Sequence, residues 1–163
     1  MELRRAEPLD LPGIVAIYNH AILHSTATFD TVPVTVEERR PWLDRFDDDN
    51  PCVVAVEGGD VVGFAYYLPY RPRLAYRRTK ELTVYVDAKA RGLGCGRRLY
   101  EHLIAHARQR DVHVLVGVVA GHNPASAALH QRCGFEVVGV LREVGWKFDR
   151  WLDTTFWQRT LRG

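Results

Sequence analysis

A predicted strand, a glycine-rich turn and a predicted helix follow one another between residues 81 and 104, and this run constrains the fold most. Residues 81–86 (ELTVYV) alternate β-branched and aromatic side chains, which is typical of a strand. The turn RGLGCG occupies 91–96, and Leu99, Leu103 and Ile104 then share one helical face. Backbone N–H groups converge at such a helix start, and the helix dipole adds roughly half a positive charge. The run therefore predicts a site for a phosphorylated ligand.

The spacing of the glycines separates three known kinds of phosphate loop. A Walker loop needs Gly-Lys-Ser/Thr after four intervening residues, and the sequence contains no such string. A dinucleotide loop needs G-x-G-x-x-G, whereas the glycines here read G-x-G-x-G, and Asp111 precedes the next strand instead of closing it. The third pattern, R/Q-x-x-G-x-G/A, fits residues 91–96. This string, five residues after Val86, resembles the acetyl-CoA pyrophosphate loop of the GNAT N-acetyltransferases.

Composition narrows the class of protein. The 163 residues suit a single domain spanning 1–163, and 47% apolar with 26% charged residues is typical of a globular protein. A net charge of +2 gives no argument for nucleic acid. No apolar run reaches the roughly 18 residues of a membrane span, and the N-terminus is no signal peptide, so we expect a cytoplasmic protein. Three cysteines at irregular spacing predict neither disulfides nor a zinc site.

The predicted order of elements is β-α-α-β-β-β-α-β-α-β-β. Helices are expected from Pro8, from Thr35 with Glu38 as a capping box to about residue 46, over 95–110 and over 123–133. Strands are expected over 2–6, 52–57, 61–68, 81–86, 112–120 and 135–140, with an extended aromatic tail over 146–158. The order predicts an α/β or α+β fold, a mixed sheet with helices on both faces. The GNAT resemblance implies a mainly antiparallel sheet.

Further strings resemble one branch of that family, the phosphinothricin acetyltransferases, which includes the methionine sulfoximine and methionine sulfone acetyltransferases. The strings are Asn19-His20, STATF at 25–29, ELTVYV at 81–86 and GWKFDRWLDTTFWQ at 145–158. The resemblance implies acetyl transfer from acetyl-CoA to the α-amine of a small amino-acid analogue. It also implies a homodimer. Neither a membrane nor a nucleic acid is expected as a partner.

The implied chemistry assigns roles to two side chains. An α-amine is mostly ammonium at neutral pH, so the site needs a base, donors for the oxyanion and a proton for the departing thiolate. Glu81 matches the catalytic glutamate of the branch; the alternative is a solvated strand-end carboxylate. His130 stands where many GNAT enzymes place a tyrosine near the coenzyme sulfur; the alternative is a helix-surface histidine. The sequence leaves open how Glu81 and His130 divide proton transfer.

The resemblance also implies a set of cofactor contacts. The N–H of Val86 is expected to bind the oxyanion, since the strand should splay there. Residues 91–97 are expected around the pyrophosphate and Asn123 along the pantetheine arm, although Asn123 is equally a good helix N-cap. The complete set is Val84, Tyr85, Val86, Arg91, Gly92, Leu93, Gly94, Cys95, Gly96, Arg97 and Asn123.

A substrate carboxylate would suit Arg71 and Arg73, because guanidinium binds carboxylate through two bonds. Phe29 and Tyr76 correspond to residues that line the substrate pocket of the branch. The arginines argue against polyamines and aminoglycosides. A protein N-terminus or another small amine remains an alternative substrate, and a non-catalytic acyl-CoA sensor remains an alternative function. His102 and His106 have the spacing of two metal ligands, but the sequence suggests no third, so we expect no metal.

Overall fold

The computed structural model describes residues 1–161, in which seven strands form one sheet. The strand order is β1-β2-β3-β4-β5-β7-β6, and only β4 and β5 run parallel. No helix in the described residues is long and apolar enough to cross a membrane. The strands are β1 Glu2–Arg5, β2 Cys52–Glu57, β3 Asp60–Pro69, β4 Thr79–Val86, β5 Val114–Ala120, β6 Glu136–Lys147 and β7 Arg150–Thr160; the helices are α1 Leu11–His24, α2 Val36–Leu43, α3 Cys95–Arg108 and α4 Pro124–Arg132.

The element order and the mixed, mainly antiparallel sheet are those predicted. The capping box of α2 is present, since Glu38 N–H donates to Thr35 Oγ1 (3.1 Å) and Thr35 N–H donates to Glu38 Oε2 (2.8 Å). The helix ends at Leu43, three residues before the predicted end. The strand predicted over 135–140 instead continues to Lys147 as β6. A shift of register between Leu141 and Gly145 interrupts the alternation of side chains, which hides the second half of this strand in the sequence.

Helices cover both faces of the sheet and bury a core on each. On one face, α1 and α2 pack Ile14, Tyr18 and Trp42 against Phe64 and Tyr85. The other core contains residues of α3 and the sheet, together with Phe135 after α4; its large members include Leu82, Leu99, Tyr100, Leu115 and Trp157. Neighbouring residues of β4 therefore face different cores, which decides where each candidate side chain lies.

Strands β4 and β5 separate part-way along their length. Their pairing covers only Thr79–Glu81 against Val114–Val116. At its two ends, the β3–β4 ladder has Tyr70 N–H donating to the Thr79 carbonyl and Asp87 N–H donating to the Val62 carbonyl. Because hydrogen-bonding directions alternate along a strand, the even-numbered amides of β4 point the other way, toward β5. The amides of Val84 and Val86 thus face the gap where β5 has diverged.

Candidate functional site

A cavity of about 1070 Å³ opens between the diverging halves of β4 and β5. Its walls are residues 82–86 of β4, residues 118–120 of β5, the start of α3 and much of α4. Of the predicted cofactor residues, those lining it are Val84, Tyr85, Val86, Arg91, Gly92, Gly94, Cys95, Gly96, Arg97 and Asn123. Leu93 does not line the cavity and is 66% exposed on the turn. We call this cavity the cleft.

The start of α3 supplies an anion cradle at one end of the cleft. Gly94 is the N-cap with φ +82°, and no side chain caps the helix. Gly92 also has positive φ, +76°. An L side chain rarely adopts this backbone conformation, so glycine is what allows the turn to direct its amides at the cleft. The first-turn N–H groups of α3, left without a side-chain partner, suit a phosphate.

Arginine side chains give the cleft a positive charge. Arg91, Arg97, Arg132 and Arg150 all contribute to its lining. Arg91 Nε donates to the Val86 carbonyl (3.4 Å), and Arg97 is paired with Glu101 at 2.7 Å. Four guanidinium groups in the lining of a cleft that also contains a free helix N-terminus favour a ligand with several negative charges.

Asn123 combines two positions that the sequence offered as alternatives. Its Oδ1 accepts from the N–H of Ser126 at 3.0 Å, which makes it the N-cap of α4. The residue also lines the cleft. Capping uses the amide oxygen, so the Nδ2 group of the same side chain is the donor available to a ligand.

Glu81 is half-buried on the face of α1 and α2. Its register partner on β3, Leu68, packs against that core, whereas the next residue, Leu82, belongs to the opposite core. Burial raises the pKa of the Glu81 carboxyl, and the positive charge of Arg71 opposes this shift. Glu81 does not line the cleft itself but immediately precedes the β4 residues that do. A carboxyl with a raised pKa is suited to general base work at neutral pH.

His130 is 2% exposed on the opposite face, where it contacts Tyr100, Phe135 and Trp157. Its Nδ1 lies 2.8 Å from the Ser126 carbonyl, which can only accept, so Nδ1 carries the proton. Nε2 then accepts from the hydroxyl of Tyr100 at 2.9 Å. Burial lowers the pKa of the imidazole, and the bond to Ser126 opposes this shift. The ring is therefore neutral near pH 7, with both nitrogens engaged.

Gly117 of β5 makes room for this histidine. A Cβ on Gly117 would lie 2.1 Å from His130 Nε2, which is closer than two heavy atoms can approach. Gly117 follows Val116, the register partner of Glu81. Glu81 and His130 therefore sit beside the same point of separation of β4 and β5, but on opposite faces of the sheet.

The predicted substrate residues lie outside the cleft lining. The Arg71 guanidinium stacks on Tyr70 with 4.2 Å to the ring centroid, and Tyr76 contacts Tyr70 edge-on with centroids 5.7 Å apart. Arg73 caps the short helical turn Leu74–Tyr76 and is exposed. The ring of Phe29 packs against the backbone of Gly145 in β6. Arg71 is the member of this group whose charge acts on Glu81.

Several lining residues carry no signal in the sequence. Tyr100 occupies an apolar helix position and is indistinguishable there from a core residue. Residues 25–27 and 118–120 enter the cleft through the arrangement of the strands, and Phe148 and Arg150 enter from the turn between β6 and β7. Only the tertiary structure brings these segments to the cleft.

The cysteines and the paired histidines have structural surroundings. All three cysteines are buried, and burial raises the pKa of Cys95 to about 11. His106 Nδ1 lies 2.6 Å from the hydroxyl of Tyr67. Within residues 1–161, no group of three or more His, Cys, Asp or Glu side chains could hold a metal ion.

Comparison with known proteins agrees with this geometry. The model of the Acetyltransferase (GNAT) family matches residues 15–135. The chain belongs to the GNAT acetyltransferase family. It is 44% identical over 161 residues to the L-methionine sulfoximine/L-methionine sulfone acetyltransferase of Pseudomonas aeruginosa, covering 98% of this chain and 94% of that protein. This similarity puts it in the phosphinothricin and methionine sulfoximine acetyltransferase branch, as an acetyl-CoA-dependent N-acetyltransferase.

Two solved structures support the same conclusion about this GNAT protein. A phosphinothricin acetyltransferase from Sinorhizobium meliloti, in complex with acetyl-CoA, is 36% identical with a TM-score of 0.94, over 98% of this chain and 88% of that one. A ribosomal-protein-alanine N-acetyltransferase from Brucella melitensis is 46% identical with a TM-score of 0.95, over 99% of this chain and 100% of that one. The predicted fold class is confirmed.

Proposed function

We propose that this enzyme transfers the acetyl group of acetyl-CoA to the α-amine of a small amino-acid analogue such as methionine sulfoximine, methionine sulfone or phosphinothricin. The observation that carries the proposal is the 44% identity to the Pseudomonas aeruginosa enzyme, which extends over nearly the whole chain. The arginine-rich segment beside Glu81 adds support, because an amino-acid substrate brings a carboxylate next to its amine.

Acetyl-CoA would lie in the cleft, where it supplies the thioester. The first-turn amides of α3, with Arg91 and Arg97, would bind the diphosphate. Asn123 Nδ2 would donate to the pantetheine arm, since its Oδ1 already caps α4. The amides of Val84 and Val86, which face the gap between the strands, would bind the arm and the oxyanion.

Glu81 would act as the general base. The ammonium must lose a proton before its nitrogen can attack the thioester, and the raised pKa brings the carboxylate closer to the ammonium in proton affinity. Arg71, which lowers that pKa through its charge, would bind the substrate carboxylate together with Arg73. Phe29 and Tyr76 would contact the remainder of the substrate.

His130 would act on the thiolate side. In this tautomer Nε2 accepts the hydrogen bond from the hydroxyl of Tyr100, and both side chains line the cleft. We propose that Tyr100, oriented by its hydrogen bond to His130 Nε2, gives its hydroxyl proton to the sulfur as the carbon–sulfur bond breaks and then regains a proton from solvent. On the way from ammonium to amide the nitrogen gives up two protons in all; the sulfur gains one and the other is released to solvent, so the transfer balances.

A panel of amines with a thiol-release assay tests the proposed substrate class. We expect the highest kcat/KM with methionine sulfone, methionine sulfoximine or phosphinothricin, and little release with spermidine because of the arginines near Glu81. Turnover confined to other amines would contradict the proposed substrate class. Tight acetyl-CoA binding without any turnover would favour the acyl-CoA sensor instead.

A protein N-terminus is the second candidate substrate. It is favoured by the 46% identity to the ribosomal-protein-alanine N-acetyltransferase of Brucella melitensis. A peptide that begins with alanine belongs in the same panel. A kcat/KM for this peptide above that of every free amino acid would select the second candidate over the first.

We also propose that two copies associate through β6, an edge strand of the sheet. Its outer surface exposes a group of large apolar side chains, which is unusual for a surface that faces only water. The group is Val137, Val138, Val140, Leu141, Val144 and Trp146, with Trp151 of β7 beside it. Light scattering should give a dimer mass for the protein and a monomer mass for Val140→Asp; a monomer before substitution would contradict the proposal. The single domain over 1–163 and the cytoplasmic location stay predictions.

A further inference from the structure

Lys147, near the end of β6, is a buried lysine outside the proposed chemistry. It is 4% exposed, and its ammonium donates to the carbonyl oxygens of Ser25 and Thr28, both at 2.8 Å. Among residues 1–161, no carboxylate lies within 4.0 Å of this ammonium. The charge is thus held mainly by backbone carbonyls of the segment that follows α1.

That segment, residues 25–30, joins several parts of the site. Thr26 Oγ1 donates to the Ala120 carbonyl of β5 at 2.9 Å, and residues 25–27 line the cleft. The hydroxyl of Tyr18 bonds Thr28 at 3.1 Å and also donates to Asp30. The segment is therefore a wall between the acetyl-CoA cleft and the side where Phe29 lies. We call it the wall segment.

Gly145 is a second contact between β6 and the wall segment. Gly145 and Lys147 are both buried and lie two residues apart, so they face the same side of the strand. A Cβ on Gly145 would lie 2.2 Å from Cζ of Phe29, which shows that the phenyl ring rests directly on the glycine backbone. Strand β6 thus contacts the wall segment twice: Lys147 bonds two of the segment's carbonyls, and Gly145 packs against the ring of Phe29.

The two hydrogen bonds from Lys147 to the wall segment are costly to break. A buried ammonium without hydrogen-bond partners is unfavourable. Movement of the wall segment away from Lys147 would leave its ammonium in that state, so the movement is opposed. Burial lowers the pKa of Lys147, and the charge of Asp30 opposes this shift. Of the three lysines in the chain, Lys80, Lys89 and Lys147, two are buried, although arginine dominates the cationic residues. A compact ammonium can donate to two carbonyls where a planar guanidinium needs more room.

We propose that Lys147 is a positioning residue for the amine substrate: it holds the wall segment, with Phe29 seated on Gly145, and so sets the shape of the pocket that receives the side chain of the substrate. The proposal rests on the proposed function, because it assumes that Phe29 contacts the amine substrate. It assigns Lys147 no contact with the reacting atoms.

Lys147→Met tests the hold, because methionine keeps the length and apolar stem and removes the donors. We expect its KM for methionine sulfone to rise about tenfold or more, as the wall segment loses two charge-assisted bonds. Its KM for acetyl-CoA should rise much less: residues 25–27 line the cleft, but the cradle at α3 and Asn123 at α4 are unchanged. Lys80→Met is the matched control: Lys80 is also buried, but its ammonium donates to Asn50 instead. This variant should lose thermal stability without a selective rise in the amine KM.

Gly145→Ala tests the seat of Phe29 and leaves Lys147 intact. The added methyl group must displace the ring, so kcat/KM for methionine sulfone should fall several-fold more than kcat/KM for alanine, whose short side chain reaches less of the pocket. An equal fall for both substrates would contradict the role of this seat in selecting the side chain.

Hydrogen exchange measured by mass spectrometry separates this proposal from the proposed function. If the wild-type enzyme acetylates none of the amino-acid analogues, the proposed function fails. The hydrogen-exchange rates of residues 25–30 then still test whether Lys147 restrains the wall segment. Amides of 25–30 should exchange faster in Lys147→Met than in Lys80→Met, while those of α2 exchange alike. Equal exchange of 25–30 in the two variants, or a parallel rise of both KM values in Lys147→Met, would overturn the proposal.

Discussion

Substitution of Gly94 measures how much the anion cradle depends on backbone conformation. Gly94 has φ +82° and ψ 2°, and a Cβ there would meet no heavy atom within 4 Å. Alanine at this position therefore introduces conformational strain without a clash. The left-handed region costs an L residue about 1–2 kcal/mol. Asparagine adopts this conformation more readily than alanine, so Gly94→Asn should retain more of the native geometry.

The strain can appear in two measurements, and their pattern is the prediction. If the turn keeps its conformation in Gly94→Ala, the melting temperature falls by about 2–4 °C per kcal/mol. If the turn relaxes, the first-turn N–H groups of α3 no longer point into the cleft, and the Kd for acetyl-CoA rises by a factor of about 5–30. We expect the second effect to dominate, because the first turn of α3 has no side-chain cap to hold it. Calorimetric titration with acetyl-CoA and thermal denaturation give the two quantities.

Gly59→Ala is the matched control. Gly59, in the turn between β2 and β3, has φ +92° and equally open space around a Cβ, but it does not line the cleft. It should lower the melting temperature and leave the Kd for acetyl-CoA unchanged. The reasoning would be refuted if Gly94→Ala bound acetyl-CoA as tightly as Gly59→Ala, or if Gly94→Asn bound it no better than Gly94→Ala.

Three further predictions concern the proton-transfer groups. Because the pKa of Glu81 is raised, kcat should fall as pH drops through that raised value; Glu81→Gln should lower kcat about 10²–10⁴-fold and abolish this acid limb, with acetyl-CoA affinity unchanged by calorimetry. The pKa of His130 in the folded protein lies below its usual value of about 6.5, so the unfolded chain takes up a proton at a higher pH than the folded protein does. The free energy of unfolding therefore declines as pH falls from about 6.5 toward the folded pKa. His130→Gln should make the melting temperature depend less on pH across pH 5–8. In Gly117→Ala the added Cβ would press on His130 Nε2, so kcat should fall with little change in either KM, and unchanged kcat would contradict a role for the His130–Tyr100 bond.

The features that sequence predicted best are those encoded by neighbouring residues. The glycine turn at 91–96 and the Thr35–Glu38 capping box are local patterns with a local physical cause, and both have the predicted geometry. The register shift within β6 and the positive φ of Phe148 and Asp149 leave no comparable pattern. The register shift is set by pairing with Leu152 and Thr154 of β7, whereas the two-residue turn at 148–149 is local but lacks the glycine that usually marks a positive φ.

The relative position of Glu81 and His130 shows a second limit. Alternation along β4 gives the face of Glu81 relative to Leu82, but the face of His130 depends on which side of the sheet α4 packs. Likewise, nothing in the residues around Lys147 indicates that its ammonium meets carbonyls more than a hundred positions away, at Ser25 and Thr28. Such pairings are properties of the topology.

The separation of those two residues bears on the mechanism. A single residue that took the proton from the amine and returned it to the sulfur would have to reach both sides of the bond being made and broken. Here the strands part next to Glu81 and Gly117, so the gap opens through the sheet, with a carboxyl on one face and an imidazole on the other. In the proposed mechanism an amine entering from the α1 side would meet Glu81, and a thiolate leaving on the α4 side would meet the Tyr100–His130 pair. Two residues on opposite faces are therefore the arrangement that this topology favours, and loss of either should leave the other half of the proton transfer intact.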